Sequence, residues 1–193
     1  MQLQEKAVLR RQLLSRRAEI SRQHREKYGQ AACARLLRNE LWSRAEGVLL
    51  TVPMPEELDV MPLLRAALHE GKPLFLPYCR DRKLIFYRLN EFGQLRKGAF
   101  GIWEPPEEQP LERGEGMLLV APAVACDRRG IRLGMGGGYY DRFLSAFSGS
   151  TACLVYEELL LDSLPAERFD LPVRHVFTQV QDFAIQTVCP QLG

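Results

Sequence analysis

The chain has no cysteines spaced as C-x-x-C, no marked excess of charge of either sign, no internal repeat and no tract of low complexity. No apolar run approaches the roughly 18 residues that span a bilayer. Each absence removes a class of protein. The five cysteines stand at positions 33, 79, 126, 153 and 189, an odd number, and most lie in apolar stretches. They read as reduced, buried thiols of a cytoplasmic protein rather than a disulfide framework. A net charge of +2 argues against a nucleic-acid partner. The N-terminus is charged from Glu5 onward, unlike a secretory leader, so neither export nor membrane association is expected. With 46% hydrophobic and 26% charged residues, extended disorder is not expected. The 193 residues suit one domain, 1–193, taken as a monomer, and can bury a core without a metal or disulfide staple.

What is present is unevenly placed. Residues 1–27 carry eight Lys or Arg against three Glu. The spacing predicts a helix from about 3 to 22, with Leu9, Leu13 and Ile20 on one apolar stripe. Lys6, Arg10 and Arg17 form a strip beside it. This helix can therefore bury one edge and aim three cations along its border. A second, Ala- and Leu-rich helix is expected from about 25 to 41. The period then shortens. Gly47–Val52 and Met117–Ala121 read as buried strands, and so do 74–76, 84–87, 152–156 and 176–178. Asp59 is placed to cap a helix that runs through His69 and stops at Gly71. Helices alternating with apolar strands imply an α/β fold, a three-layer Rossmann-like sandwich with a mostly parallel sheet and helices on both faces. Asn90–Gly116, with three prolines and five glycines, is long enough to be a lid or binding loop.

The strongest local signal is R-L-G-M-G-G-G-Y-Y-D-R, Arg132 to Arg142, read as following a buried strand and opening a helix that runs to about Phe147. Four glycines in five positions let the backbone adopt positive φ and approach a ligand closely. Successive N–H groups can form an anion nest, and Arg132 adds a permanently charged planar fork. Tyr139 and Tyr140 offer flat faces and hydroxyls. Asp141 can serve as a helix-dipole partner or a Mg²⁺ ligand. No G-K-[ST] follows, so this is not a P-loop, and Tyr139 stands where a dinucleotide fingerprint has its third glycine. A phosphate-bearing ligand is the reading these residues support.

The longer run V-A-P-A-V-A-C-D-R-R-G-I-R-L-G-M-G-G-G-Y-Y-D-R, from Val120, closely resembles the signature of the 5-formyltetrahydrofolate cyclo-ligase family. Other segments match in order: Lys6–Arg10 is similar to its K-x-x-L-R, Glu57-Leu58-Asp59 to its E-x-D, Phe100–Pro105 to its G-I-x-E-P, and Leu164–Asp170 with 176–178 to its C-terminal end. The resemblance spans nearly the whole chain. It implies an ATP- and Mg²⁺-dependent enzyme that converts 5-formyltetrahydrofolate to 5,10-methenyltetrahydrofolate and releases ADP and phosphate. By the same resemblance, Lys6 and Arg10 reach the nucleotide phosphates, with Arg10 also near the folate. Arg132, Leu133, Gly134, Met135, Gly136, Gly137, Gly138, Tyr139 and Tyr140 cradle ATP, and Met135 and Tyr139 also touch the folate. Asp141 and Asp170 ligate Mg²⁺. Glu57 holds the pterin, Val52 lines its pocket and Trp103 walls it. Lys6, Arg132 and Asp141 carry the catalytic charge. The chain departs from the family at four positions: Gly137 where several members have Lys, Val60 where Thr is common, Phe169 where many have His, and Cys153 where Gly often stands. A non-catalytic nucleotide-binding protein on the same fold is the alternative. A binding-only protein has no need of a folate carboxylate partner such as Glu57.

Overall fold

The computed structural model describes residues 2–81, 83–98 and 101–186. Among the described residues there are five α-helices: α1 Gln2–Ala18, α2 Arg22–Arg38, α3 Glu40–Arg44, α4 Met61–His69 and α5 Tyr139–Leu144. The main sheet has seven strands: β1 Gly47–Leu49, β2 Leu74–Arg80, β3 Lys83–Leu89, β6 Met117–Val120, β9 Ser150–Leu154, β11 His175–Phe177 and β12 Asp182–Ala184. Two smaller sheets hold β4 Arg96–Lys97 with β5 Trp103–Glu104, and β7 Ala125–Asp127 with β8 Arg132–Leu133 and β10 Leu160–Leu161.

The order in the main sheet is β12-β11-β9-β6-β1-β2-β3. The five inner strands run parallel, and the edge strands β3 and β12 run antiparallel to their neighbours. From β1 the chain moves to one side through α4 to β2. It later returns to the other side of β1 as β6 and continues outward to β9. The strand order thus reverses at the β1–β6 pair, and a crevice opens there outside the carboxyl ends of the strands.

The two-residue period of β6 explains the layers. Leu118 and Val120 face a core shared with α1 through α4, whereas Met117 and Leu119 face a second core under α5. Cys33, Cys126 and Cys153 are buried and unpaired, and Cys79 is half-buried. Burial, with the Asp59 charge behind it, pushes the Cys33 thiol up to about 12, so it is inert at neutral pH. Cys189 lies outside the described residues.

Several boundaries differ from the sequence reading, each for a local reason. The first helix stops at Ala18 because Ser21 caps a new one, its hydroxyl accepting from His24 N. The second helix breaks at Asn39, whose side chain accepts from Leu41 N and starts α3. The first strand is three residues long and ends at Leu49, although Leu50 N still donates to the Phe75 carbonyl at 3.0 Å. Helix α4 begins at Met61 after Val60. Asp59 Oδ1 accepts from Met61 N, and Gly71, at φ +68°, ends the helix in a left-handed turn. Helix α5 ends at Leu144 rather than near Phe147.

Candidate active site

The site assembles around the inward face of α1. Lys6, Arg10, Leu13 and Arg17 recur every three or four residues, so they share that face. The expected border of cations is itself covered: Lys6 is 8% exposed and Arg17 is 6%. Buried charges need partners, and each cation reaches a different segment of the chain. Lys6 Nζ pairs with Asp170 and, at 3.1 Å, with Glu167. Arg10 Nε donates to the carbonyl of Gly134 at 2.6 Å. Arg17 Nη1 stands 3.9 Å from Glu57 Oε1. Burial lowers the affinity of Lys6 for its proton. Hydrogen bonds to Asp170 and Glu167, together with their charges, outweigh this and hold the ammonium above its ordinary value.

The glycine loop leaves β8, which belongs to the small β10-β7-β8 sheet rather than to the main one. Asp127, at the end of β7, anchors it. This fully buried carboxylate accepts from the backbone N–H groups of Arg129, Ile131 and Leu164 and from the Arg129 guanidinium. Gly136 has φ +98°, and a Cβ there would lie 3.4 Å from the Arg10 guanidinium. Side-chain-free backbone thus lets α1 and the loop approach each other. At Gly137 the space a side chain would enter is taken by the Tyr139 ring. The Arg142 guanidinium covers this part of the loop, donating to the Gly137 carbonyl at 3.0 Å and lying over Tyr139.

Arg132 is buried and donates to Asp141 Oδ1 at 2.9 Å and to the Leu171 carbonyl at 3.4 Å. Its Nε meets no partner among the described residues. The Leu171 N–H also donates to Asp141 Oδ1, at 3.4 Å. Asp141 and Asp170 are therefore brought together on either side of the Asp170–Leu171 peptide, 29 residues apart in the chain. Asp170 Oδ2 accepts from Lys6 and from Glu167 N. Oδ2 of Asp141 and Oδ1 of Asp170 have no protein partner among the described residues. Among those residues no group of three or more His, Cys, Asp or Glu could enclose a metal. The pair fits a cation held largely by phosphate and water, as Mg²⁺ commonly is.

Two hollows flank this junction. The first is the narrow crevice at the switch point, lined by Thr51 and Pro53 after β1, Ala121–Val124 after β6 and Val155–Tyr156 after β9, with Arg17 and Glu57 at its polar wall. Glu57 Oε2 accepts from Met54 N at 3.0 Å. The second, about 410 Å³, runs between β3 and α5 and is lined by Tyr139, Arg142, Phe143 and Phe147 with Lys83 and Arg113. Tyr140 packs edge-on against Phe86, and burial pushes its phenol up, with the Cys79 and Glu57 charges adding to the effect.

Not every expected residue converges. Val52 packs on the main core between two lining residues but does not itself line the crevice. Trp103 lines neither hollow. It sits on the β4–β5 pair, 41% exposed, under the Lys97 ammonium. Met135 and Phe169 are 63% and 67% exposed, one on the glycine loop and one beside Asp170. Three residues with no role assigned from the sequence belong to the assembly: Glu167, Arg17 and Tyr156. Only Arg17 gave a signal, its helical angle matching those of Lys6 and Arg10.

The 5-formyltetrahydrofolate cyclo-ligase family model matches residues 2–179. A 5-formyltetrahydrofolate cyclo-ligase of Mycolicibacterium smegmatis is 34% identical over 182 residues, 90% of this chain and 93% of that protein. The one from Escherichia coli K12 is 30% identical, over 84% and 94% of the two chains. The solution structure of Aquifex aeolicus 5,10-methenyltetrahydrofolate synthetase superposes with a TM-score of 0.84 at 31% identity, covering 94% of this chain and 93% of that one. The residues that meet at α1 and the glycine loop are those that carry the sequence resemblance, and the matches extend on both sides of them: the chain belongs to the 5-formyltetrahydrofolate cyclo-ligase family.

Proposed function

We propose that this chain, acting as one domain over residues 1–193, converts 5-formyltetrahydrofolate to 5,10-methenyltetrahydrofolate with ATP as co-substrate. A formamide oxygen leaves poorly as hydroxide and well as phosphate. The γ-phosphoryl group of ATP is transferred to the formyl oxygen, giving ADP. N10 then attacks the activated carbon and loses its proton, and the C–O bond breaks to release phosphate. The protein's part in such a transfer is positioning and charge neutralisation.

The observation that carries this reading is the junction of α1 with the glycine loop. It sets Lys6 and Arg132 beside two partly unengaged carboxylates and holds Arg10 against the backbone of the loop. In this reading Arg10, the 132–140 segment and Lys6 hold the nucleotide phosphates. The unpartnered Nε of Arg132 is available to a phosphate oxygen. Arg142, resting on the loop at Gly137, supplies a cation where several family members carry one in the loop itself. Asp141 and Asp170 would hold Mg²⁺, which neutralises phosphate charge when bound. The crevice at the switch point takes the pterin, with Glu57 accepting from its N–H edge. Met135 and Tyr139 reach the folate from the loop, Val52 borders the crevice between Thr51 and Pro53, and Trp103, which lines neither hollow, is given no role. The reduced thiols fit a cytoplasmic enzyme.

The test is absorbance in the near ultraviolet, where methenyltetrahydrofolate absorbs. Purified protein is mixed with 5-formyltetrahydrofolate and Mg²⁺, with and without ATP. An ATP-dependent rise is expected. No rise under conditions where the protein binds ATP would contradict the assignment.

A further inference from the structure

The crevice at the carboxyl ends of β1, β6 and β9 holds more polar equipment than the reading above employs. Two of its lining side chains are buried and carry an atom that meets no partner among the described residues: Nε of Arg17 and the hydroxyl of Tyr156. Arg17 is 6% exposed and Tyr156 is 1%. Leaving a buried donor unpaired is costly, and native folds seldom do so without a reason. Two such groups on the wall of one crevice point to something that enters it.

The chemistry of the wall narrows the choice. Arg17 can only donate. Burial pushes the Tyr156 phenol up to about 12, with the Arg25 and Arg17 charges opposing the rise. It is therefore an intact O–H at neutral pH and free to donate. Glu57, on the same wall, can only accept when ionised, and one of its oxygens is already oriented by Met54 N. The remaining surface is mostly apolar, with Leu50, Leu58, Val60, Val120 and Leu154. The crevice encloses about 30 Å³ and must open to admit more than a few waters; the chemistry of its lining matches a flat ring whose edge shows N–H groups beside one acceptor.

The pyrimidinone half of a pterin has this edge. Its ring N–H and 2-amino group donate side by side, and the adjacent carbonyl oxygen accepts. A carboxylate satisfies the first two and leaves the third facing the protein. We propose that Arg17 and Tyr156 donate to the ring carbonyl oxygen of the pterin whose N–H edge Glu57 accepts, so that the three residues together read the 2-amino-4-oxo pattern. The inference rests on the crevice being the folate site. Its consequence is specificity. A 4-amino ring presents a donor where these donors wait, and a buried polar site discriminates strongly against a ligand that leaves it unpaired.

Tyr156→Phe is the cleanest test, because it removes one oxygen and no carbon. That oxygen has no partner among the described residues, so the melting temperature should hold or rise. The KM for 5-formyltetrahydrofolate should rise on the order of tenfold, the worth of one hydrogen bond, with KM for ATP and kcat unchanged. Without ATP or turnover, the affinity ratio of folic acid to its 4-amino analogue should shift toward the analogue by a similar factor. Arg17→Gln should shift it in the same direction. A wild-type folate KM together with an unmoved ratio in Tyr156→Phe would overturn the proposal. A lowered melting temperature with an unchanged folate KM would also overturn it, by giving the hydroxyl a structural role. The ligand ratio is read without catalysis, so it decides the matter even if wild-type protein forms no product, a result that would count against the cyclo-ligase reading instead.

Discussion

Helices α1 and α4 contribute to the same core and bury opposite things. The fully buried side chains of α4 are Leu63, Leu64 and Ala67. Those covered on α1 include Lys6 and Arg17 alongside Leu13. Apolar burial asks nothing of its neighbours except shape, so α4 needs only the sheet beneath it. A buried cation is tolerated only where a partner is fixed in advance, so α1 is tied to three separate loops: 167–170 through Lys6, 134–136 through Arg10 and 57 through Arg17. Those loops border the crevice or the glycine loop. Helix α4 is therefore scaffold, whereas α1 is the post on which the separate parts of the site are aligned.

That contrast can be broken in order of expected effect. Arg132→Ala should lower turnover about 10²–10³-fold, the usual loss when one preorganised charge donor is removed. Kinetics on the folded fraction check this, and near-wild-type turnover would exclude Arg132 from the charge-bearing group. Leu64→Ala should do the reverse. It should destabilise the fold by about 2–5 kcal/mol in a denaturant titration, with turnover per folded molecule unchanged.

Lys6→Met sits between the two. It leaves Asp170 and Glu167 facing each other without their cation, and should cost about 1–3 kcal/mol because the pair is only partly shielded. Turnover should also fall sharply. The pH dependence has a definite sign. The folded-state pKa of Lys6 is raised above its ordinary 10.5, so its stabilisation is whole below that pH and fades as pH climbs through the folded value. The gap in melting temperature between wild type and Lys6→Met should therefore narrow above pH 10.5. Smallest is Gly136→Ala. Its φ of +98° lies where a side chain is strained, at about 1–3 kcal/mol, and the new methyl meets the Arg10 guanidinium. A modest loss of stability with weaker ATP binding is expected, measured by thermal melting and titration.

How far the sequence could be read follows from the range of each interaction. The inner strands were legible because β1, β6 and β9 are short apolar runs, and buried strands have that composition. The glycine loop was legible because its chemistry is local. The β10-β7-β8 sheet was not, because two- and three-residue strands leave no period to detect. Its organiser, Asp127, acts through bonds to Ile131 and Leu164 that no spacing rule anticipates. Lys6 and Asp170 were each picked out, yet their pairing crosses 164 residues, and only the fold brings them together. Arg17 shows the middle case. Helical geometry put it on the strip with Lys6 and Arg10, but nothing in one helix said that the strip would be covered or that Tyr156 would stand nearby.

Whether Lys6 and Arg10, on the inward face of α1, serve the nucleotide site rather than the scaffold is tested by the ATP dissociation constant of Arg10→Gln measured beside its melting temperature. Binding should weaken at least about tenfold, the loss of one charged contact, with the melting temperature little changed. Wild-type ATP affinity in a variant whose stability has dropped would contradict it and make α1 a scaffold helix like α4.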